Sequence, residues 1–146
     1  MQKIFIDTSV LIALSLSSEK DHTKSKHCYE QYKKSRAIFY TSTDVLDEYF
    51  TRLIYDCAPS VAKQLIDITL ASIRARELRI LEVDTGVLFK AIEVVKKYCE
   101  HQISCTDATT YILCRELAID EIFTLDSDFK KLHMKTSFSW KPLRSI

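Results

Sequence analysis

The stretch Lys3-Ile4-Phe5-Ile6-Asp7-Thr8-Ser9-Val10-Leu11-Ile12 decides how the rest of the chain is read. A short apolar run of this kind suits a strand buried on both faces. The Asp-Thr-Ser that follows supplies residue types that begin a helix. Asp7 is therefore expected where the first strand ends and the first helix starts. In open parallel sheets that edge, beyond the carboxyl ends of the strands, is where ligands bind. Two roles are open to Asp7 here: a helix N-cap, or one member of an acidic site completed from elsewhere. A secretory signal is disfavoured, because Asp7 interrupts the apolar run and no A-x-A-like cleavage pattern follows.

Composition narrows the function. With 146 residues, 47% of them hydrophobic, the chain is expected to form one domain with a real core. No apolar run approaches the length of a bilayer span, so a soluble, cytoplasmic protein with no membrane partner is expected. The net charge of +1 creates no global field toward nucleic acid or anionic lipid, so a nucleic-acid function must rest on a local site. The single glycine, Gly86, excludes the Gly-rich phosphate cradles of dinucleotide-binding and P-loop folds. Cys28, Cys57, Cys99, Cys105 and Cys114 are odd in number, have no C-x-x-C pair and suit free thiols in a reducing compartment. His22, His27, His101 and His133 make no H-E-x-x-H pattern, so zinc is not expected.

Outward from the first strand, helices and strands alternate. Ser9 to about Ser18 suits a short apolar helix, and the charged segment Glu19 to Arg36 a second one. Ala37-Ile38-Phe39-Tyr40 is a short β-prone run, followed by N-cap candidates Thr41, Ser42 and Thr43 for a helix to about Cys57. Pro59 is expected to stop that helix, with Ser60 capping the next through about Glu77. Leu78 to Val83 alternates apolar and charged residues, as a strand does. Asp84 opens a helix to about Cys99, and Ser104 another through about Ala118. Glu121 to Leu125 reads as a strand that again ends in a carboxylate, at Asp126-Ser127-Asp128. The basic and aromatic tail from Lys130, with Phe138 and Trp140, carries no clear element. No linker or repeat interrupts this order. It predicts an α/β domain with a mostly parallel central sheet of four to five strands between helical layers.

Several carboxylates have the placement to share the Asp7 edge, and each has a plainer alternative. Ser104-Cys105-Thr106-Asp107 has capping-box spacing, so Asp107 sits at a helix start whether or not it serves a site. Asp126 repeats the strand-then-aspartate pattern of Asp7, or makes an Asx-turn, with Asp128 able to assist. Glu48 falls off the apolar stripe of its helix and faces either a cleft or Arg52 at i+4. Gathering such acids without lysine or histidine partners is unfavourable unless a cation offsets their repulsion. Hard oxygen donors suit Mg2+ or Mn2+.

These positions carry a resemblance. The segments F-I-D-T-S-V-L-I-A-L, T-D-V-L-D-E-Y, I-S-C-T-D-A-T-T-Y and I-F-T-L-D-S-D-F resemble, in order and separation, the four motifs of the PIN domain. The chain is most similar to the stand-alone bacterial and archaeal VapC-type toxins, over nearly its whole length. The resemblance implies a PIN-like three-layer fold and a metal-dependent endoribonuclease, with Asp7, Glu48, Asp107 and Asp126 as the acidic set. Preference for Glu48 over Asp44 or Asp47 comes from the resemblance alone. It also implies a polar auxiliary after the first aspartate (Ser9 or Thr8), an RNA substrate, an inhibiting antitoxin and a homodimer.

Lys33, Lys34, Arg36, Arg115, Lys130 and Lys131 are scattered cations; Arg115, two turns beyond Asp107 on one predicted helix, is the best placed to hold RNA. A PIN-like scaffold that binds RNA or protein without cutting is the main alternative. An aspartyl phosphatase of the haloacid-dehalogenase type ranks lower, because Ser9 stands where that chemistry expects a second aspartate.

Overall fold

The computed structural model describes residues 1–138, so Trp140 and Pro142 lie outside the described residues. Four parallel strands, β1 (Lys3–Ile6), β2 (Ile38–Ser42), β3 (Leu78–Leu81) and β4 (Glu121–Phe123), form a sheet in the order β3-β2-β1-β4. Around it lie α1 (Thr8–Ser15), α2 (His22–Lys34), α3 (Thr43–Asp56), α4 (Pro59–Arg74), α5 (Thr85–Lys97), α6 (Cys105–Glu116) and the short α7 (Asp128–Lys131). The expected parallel α/β sheet is present with four strands.

The order of strands makes the site. Chain tracing runs from β1 outward through β2 to β3, then returns to place β4 on the other side of β1. Reversal of direction between β1 and β4 leaves a crevice at their carboxyl ends, because the helices following them diverge. Ile6 pairs with Phe123 at that end, and the Asp7 N–H donates to the Phe123 carbonyl at 3.0 Å. Ile4, Phe5, Val10, Ile122 and Phe123 are fully buried, so the central pair of strands is anchored in the core. That is what continuous apolar runs in a two-sided sheet require.

Several boundaries differ from the sequence expectation for local reasons. Strand β2 runs on through Thr41 and Ser42, and Ser42 becomes the N-cap of α3, accepting the Val45 N–H at 3.1 Å. Pro59 begins α4 at its first turn, where its missing N–H has no helical partner to lose. Strand β4 stops at Phe123, so Asp126 lies three residues beyond it. The segment 19–21 is a turn before α2, and α7 begins at Asp128 and runs into the tail from Lys130 that had no assigned element.

Scarcity of glycine leaves a mark at helix ends. Arg36, Arg76, Ala118 and His133 follow helices with φ of 60, 62, 51 and 59°, the left-handed position usually given to glycine. An ordinary side chain there costs about 1–2 kcal/mol, partly offset by glycine's greater freedom when unfolded. Arg76→Gly is expected to stabilise the fold by about 0.5–1 kcal/mol and β-branched Arg76→Val to destabilise it, read as shifts of the urea midpoint.

Candidate active site

Five carboxylates from four parts of the chain line one cleft of about 250 Å³ at this crevice: Asp7, Glu48, Asp107, Asp126 and Asp128. Thr8, Ser9, Arg52 and Ser104 complete its wall. Asp7 follows β1, Glu48 is in the second turn of α3, Asp107 is in the first turn of α6, and Asp126 lies in the turn after β4. The fold thus brings together the whole acidic set read from the sequence, with Ser9 and Asp128 beside it. Arg115 is not there. It faces a separate cavity of about 480 Å³ at the other end of α6. The reason is helical rise: eight residues carry it about 12 Å from Asp107. By volume that cavity exceeds the acid cleft, but the convergent chemistry lies in the smaller one.

Asp7 occupies the N-cap position of α1, yet its side chain makes no cap bond. It is held from the opposite side instead. Thr124 Oγ1 donates to Asp7 Oδ2 at 2.8 Å, and Ser9 Oγ reaches the same oxygen at 3.2 Å. Thr124 Oγ1 also accepts the Asp126 N–H at 3.0 Å, and Ser9 Oγ accepts the Leu125 N–H at 3.0 Å. One pair of hydroxyls therefore locks Asp7 to the loop that carries Asp126. Thr124, 2% exposed, is the positioning residue that sequence reasoning missed. Its one legible signal was a hydroxyl two residues before the last motif's aspartate.

The other acids are set by their helices. Ser104 Oγ accepts the Asp107 N–H at 3.0 Å, so the forward half of the capping box forms while the Asp107 carboxylate lines the cleft. Thr109 Oγ1 donates to Asp44 Oδ2 at 2.9 Å, tying α6 to α3 and turning Asp44 to a structural task. Of the two readings open to Glu48, the cleft is the one observed: it is exposed there, and Arg52 Nε lies 3.8 Å from Asp56 instead.

Electrostatics show the cost of this gathering. Burial pushes the Asp7 carboxyl up from 3.8 to about 6, opposed by its bonds with Thr124, the Thr8 backbone and Ser9; Asp126 adds repulsion. Asp107 rises from 3.8 to about 7, first through burial, then through repulsion by Asp7, with Ser104 opposing. Asp126 is also raised, by burial and by Asp128, while backbone N–H groups of Asp128 and Ser127 and the Lys131 ammonium pull it down. The Asx-type turn and the acidic site therefore coexist at Asp126.

Among the described residues no group of three or more His, Cys, Asp or Glu side chains is clustered tightly enough to hold a metal ion as it stands. Donor chemistry nevertheless fits a hard cation: the converging groups are carboxylate and hydroxyl oxygens. Thr8 Oγ1, in the cleft wall, is buried with no hydrogen-bond partner.

The family profile described as PIN domain matches residues 4–134. The chain belongs to the PIN domain family. The 23S rRNA-specific endonuclease VapC20 of Mycobacterium tuberculosis is 27% identical over 126 residues, covering 86% of this chain and 91% of its own. Ribonuclease VapC6 of Methanocaldococcus jannaschii is 27% identical across 88% of this chain and 92% of its own. The crystal structure of VapC20, a Sarcin-Ricin loop cleaving toxin, superposes with a TM-score of 0.77 at 26% identity over 90% of this chain and 95% of that one. VapBC2 from Rickettsia felis, bound to a DNA fragment from its promoter, shares the fold at TM-score 0.70 and 14% identity, over 92% of this chain and 97% of its own. No described helix is long and apolar enough to cross a membrane.

Raised carboxyl values have a sign for stability. Since the Asp7 value rises on folding, its contribution favours the fold fully below about pH 4 and is lost as pH climbs through about 6. Removing the ionisable group removes that loss. In metal-free buffer at pH 8, Asp7→Asn is expected to be more stable than the parent by up to about 3 kcal/mol. The gap should close as pH falls toward 4, as followed by urea denaturation across the range.

Proposed function

We propose that the protein is an endoribonuclease that hydrolyses RNA phosphodiester bonds with the help of Mg2+ or Mn2+. One observation carries the reading: four motifs distant in sequence deliver their carboxylates to a single cleft at the crevice between β1 and β4. Similarity to the VapC ribonucleases supports RNA as the substrate class. At 27% identity the particular RNA is not carried over.

Asp7, Asp107 and Asp126 would hold the metal, with Asp128 as a further oxygen donor. When bound, the ion supplies Lewis-acid polarisation of the phosphate and lowers the pKa of a water ligand. The chain's own residues do the rest. Thr124 and Ser9 fix one oxygen of Asp7, Oδ2, and so orient the carboxylate that would ligate the ion. Glu48, an exposed carboxylate in the cleft wall, would accept a proton from the attacking water. Hydrolysis breaks one P–O ester bond as the water oxygen joins phosphorus, and the departing oxygen leaves with a proton.

The toxin role follows from the same kinship, since the mycobacterial relative is itself a toxin. A nuclease harmful to its own cell needs a neutralising partner, and an antitoxin is part of the proposal, with a homodimer as the assembly.

Labelled RNA incubated with the purified protein should be cut in Mg2+ or Mn2+ and left intact in EDTA. Asp7→Asn and Asp126→Asn should each slow cutting by at least about a hundredfold. Cleavage without metal, or cleavage surviving both substitutions, would remove the acids from the mechanism; binding without cleavage would favour the non-catalytic scaffold.

Thermal melting gives a second test that needs no substrate. Millimolar Mn2+ should raise the melting temperature of the parent, because the cation binds only the folded acid cluster, and should leave Asp107→Asn much less affected. Equal shifts in both proteins would count against a metal held at Asp107.

A further inference from the structure

Five carboxylates, offset among the described residues only by the guanidinium of Arg52 and by Lys131 at 3.0 Å from Asp128, make the acid cleft a poor place to capture a polyanion, so affinity for RNA has to come from outside it. We propose that the 480 Å³ cavity at the other end of α6 is a second RNA-binding subsite, which holds the strand flanking the bond that is cut. The proposal rests on the nuclease reading and extends it.

The walls of this cavity have the chemistry of a single-strand platform. Tyr98 and Tyr111 line it together with Arg115, His133 and Lys135. The Arg115 guanidinium lies 5.5 Å from the centroid of the Tyr111 ring, and its Nη1 donates to the Tyr111 hydroxyl at 2.8 Å. Lys97 Nζ lies 5.6 Å from the centroid of Tyr98. Aromatic faces carrying cations stack bases and hold phosphates without reading sequence. The carboxylates in the wall are already engaged. Asp120 Oδ2 accepts the Lys3 N–H at 2.7 Å, while buried Glu121 accepts the Tyr32 hydroxyl and faces Lys135 at 3.4 Å. Arg115 has no carboxylate partner among the described residues.

Two segments run directly from the acid cleft to this cavity. On α6, Asp107, Tyr111 and Arg115 stand at i, i+4 and i+8, a single helical face that begins at the acids and ends at the guanidinium. From Asp126 and Asp128 the chain passes through α7 to Leu132 and His133 in the cavity wall. The span along α6 is about 12 Å, short enough for one strand to touch both sites.

The test reads binding, so that it does not depend on catalysis. Fluorescence anisotropy of a labelled single-stranded RNA is measured in Mg2+ with the Asp126→Asn protein as parent. Adding Arg115→Glu should weaken binding by roughly tenfold or more and lower the slope of log affinity against log salt by about one. Adding Arg115→Lys should recover part of the affinity, since charge returns without the planar stack. Lys63→Glu, an equal charge change on the exposed face of α4, should leave affinity as it was. Equal affinity in the Arg115→Glu and Lys63→Glu proteins, or a parent that does not bind RNA, overturns the subsite. A parent that binds RNA through Arg115, from a wild type that never cuts it, overturns the nuclease reading alone.

Discussion

Gathering five carboxylates in one cleft, with only Arg52 in its wall and Lys131 paired to Asp128 against them among the described residues, is the constraint on which the rest of this structure depends. Asp7 and Asp107 are 5% and 8% exposed, and both carboxyl groups are pushed well above the ordinary range, first by burial and then by neighbouring acids, Asp126 for Asp7 and Asp7 for Asp107. A fold selected for stability alone would replace them with apolar residues or pair them with lysines. Here the protein spends hydroxyl groups on holding the acids in place, through Thr124, Ser9 and Ser104. Such strain, kept and supported, is the pattern by which candidate functional groups are recognised.

The scaffold explains why the acids meet. All four strands are parallel, so every strand ends at one edge and every following helix starts there. Reversal of the strand order between β1 and β4 opens the crevice between the helices that follow them, and the Asp7 N–H to Phe123 carbonyl bond closes the sheet immediately beneath it. The Thr109–Asp44 bond then joins α6 to α3, the helices that carry Asp107 and Glu48. One face of α6 continues from the acids to the Tyr111–Arg115 pair, so the same helix borders both the acid cleft and the larger cavity at its other end.

Much of this was legible in the chain. The mostly apolar Lys3–Ile6 running into Asp-Thr-Ser gave the buried strand and the helix start, and the repeat of that pattern at Glu121–Asp126 gave a second strand ending in aspartate; that the two lie side by side came from the structure. Boundaries slipped where two local signals competed. Thr41-Ser42-Thr43 offered three caps, and the choice of Ser42 was made by pairing of β2 with β3, which draws Thr41 and Ser42 into the sheet. Pro59 was read as a stop because proline breaks helices, although at the first turn it is well tolerated. Membership of Glu48 came from kinship, not from periodicity, because an off-stripe glutamate beside an arginine is also what a solvated helix face looks like.

By itself the sequence determined the element order, the parallel α/β class and the residue types that arrive at one edge, since these follow from periodicity, capping and apolar runs within short windows. Tertiary structure alone decided what each polar group does once there. Asp7 could have capped α1; Thr124, 117 residues away in sequence, claims its Oδ2 instead. Arg52 could have paired with Glu48, and it turns to Asp56. Arg115, close to Asp107 by helical count, ends in another cavity. Hydrogen-bond partners depend on distances of a few ångströms between segments far apart in the chain, and no local pattern encodes those distances.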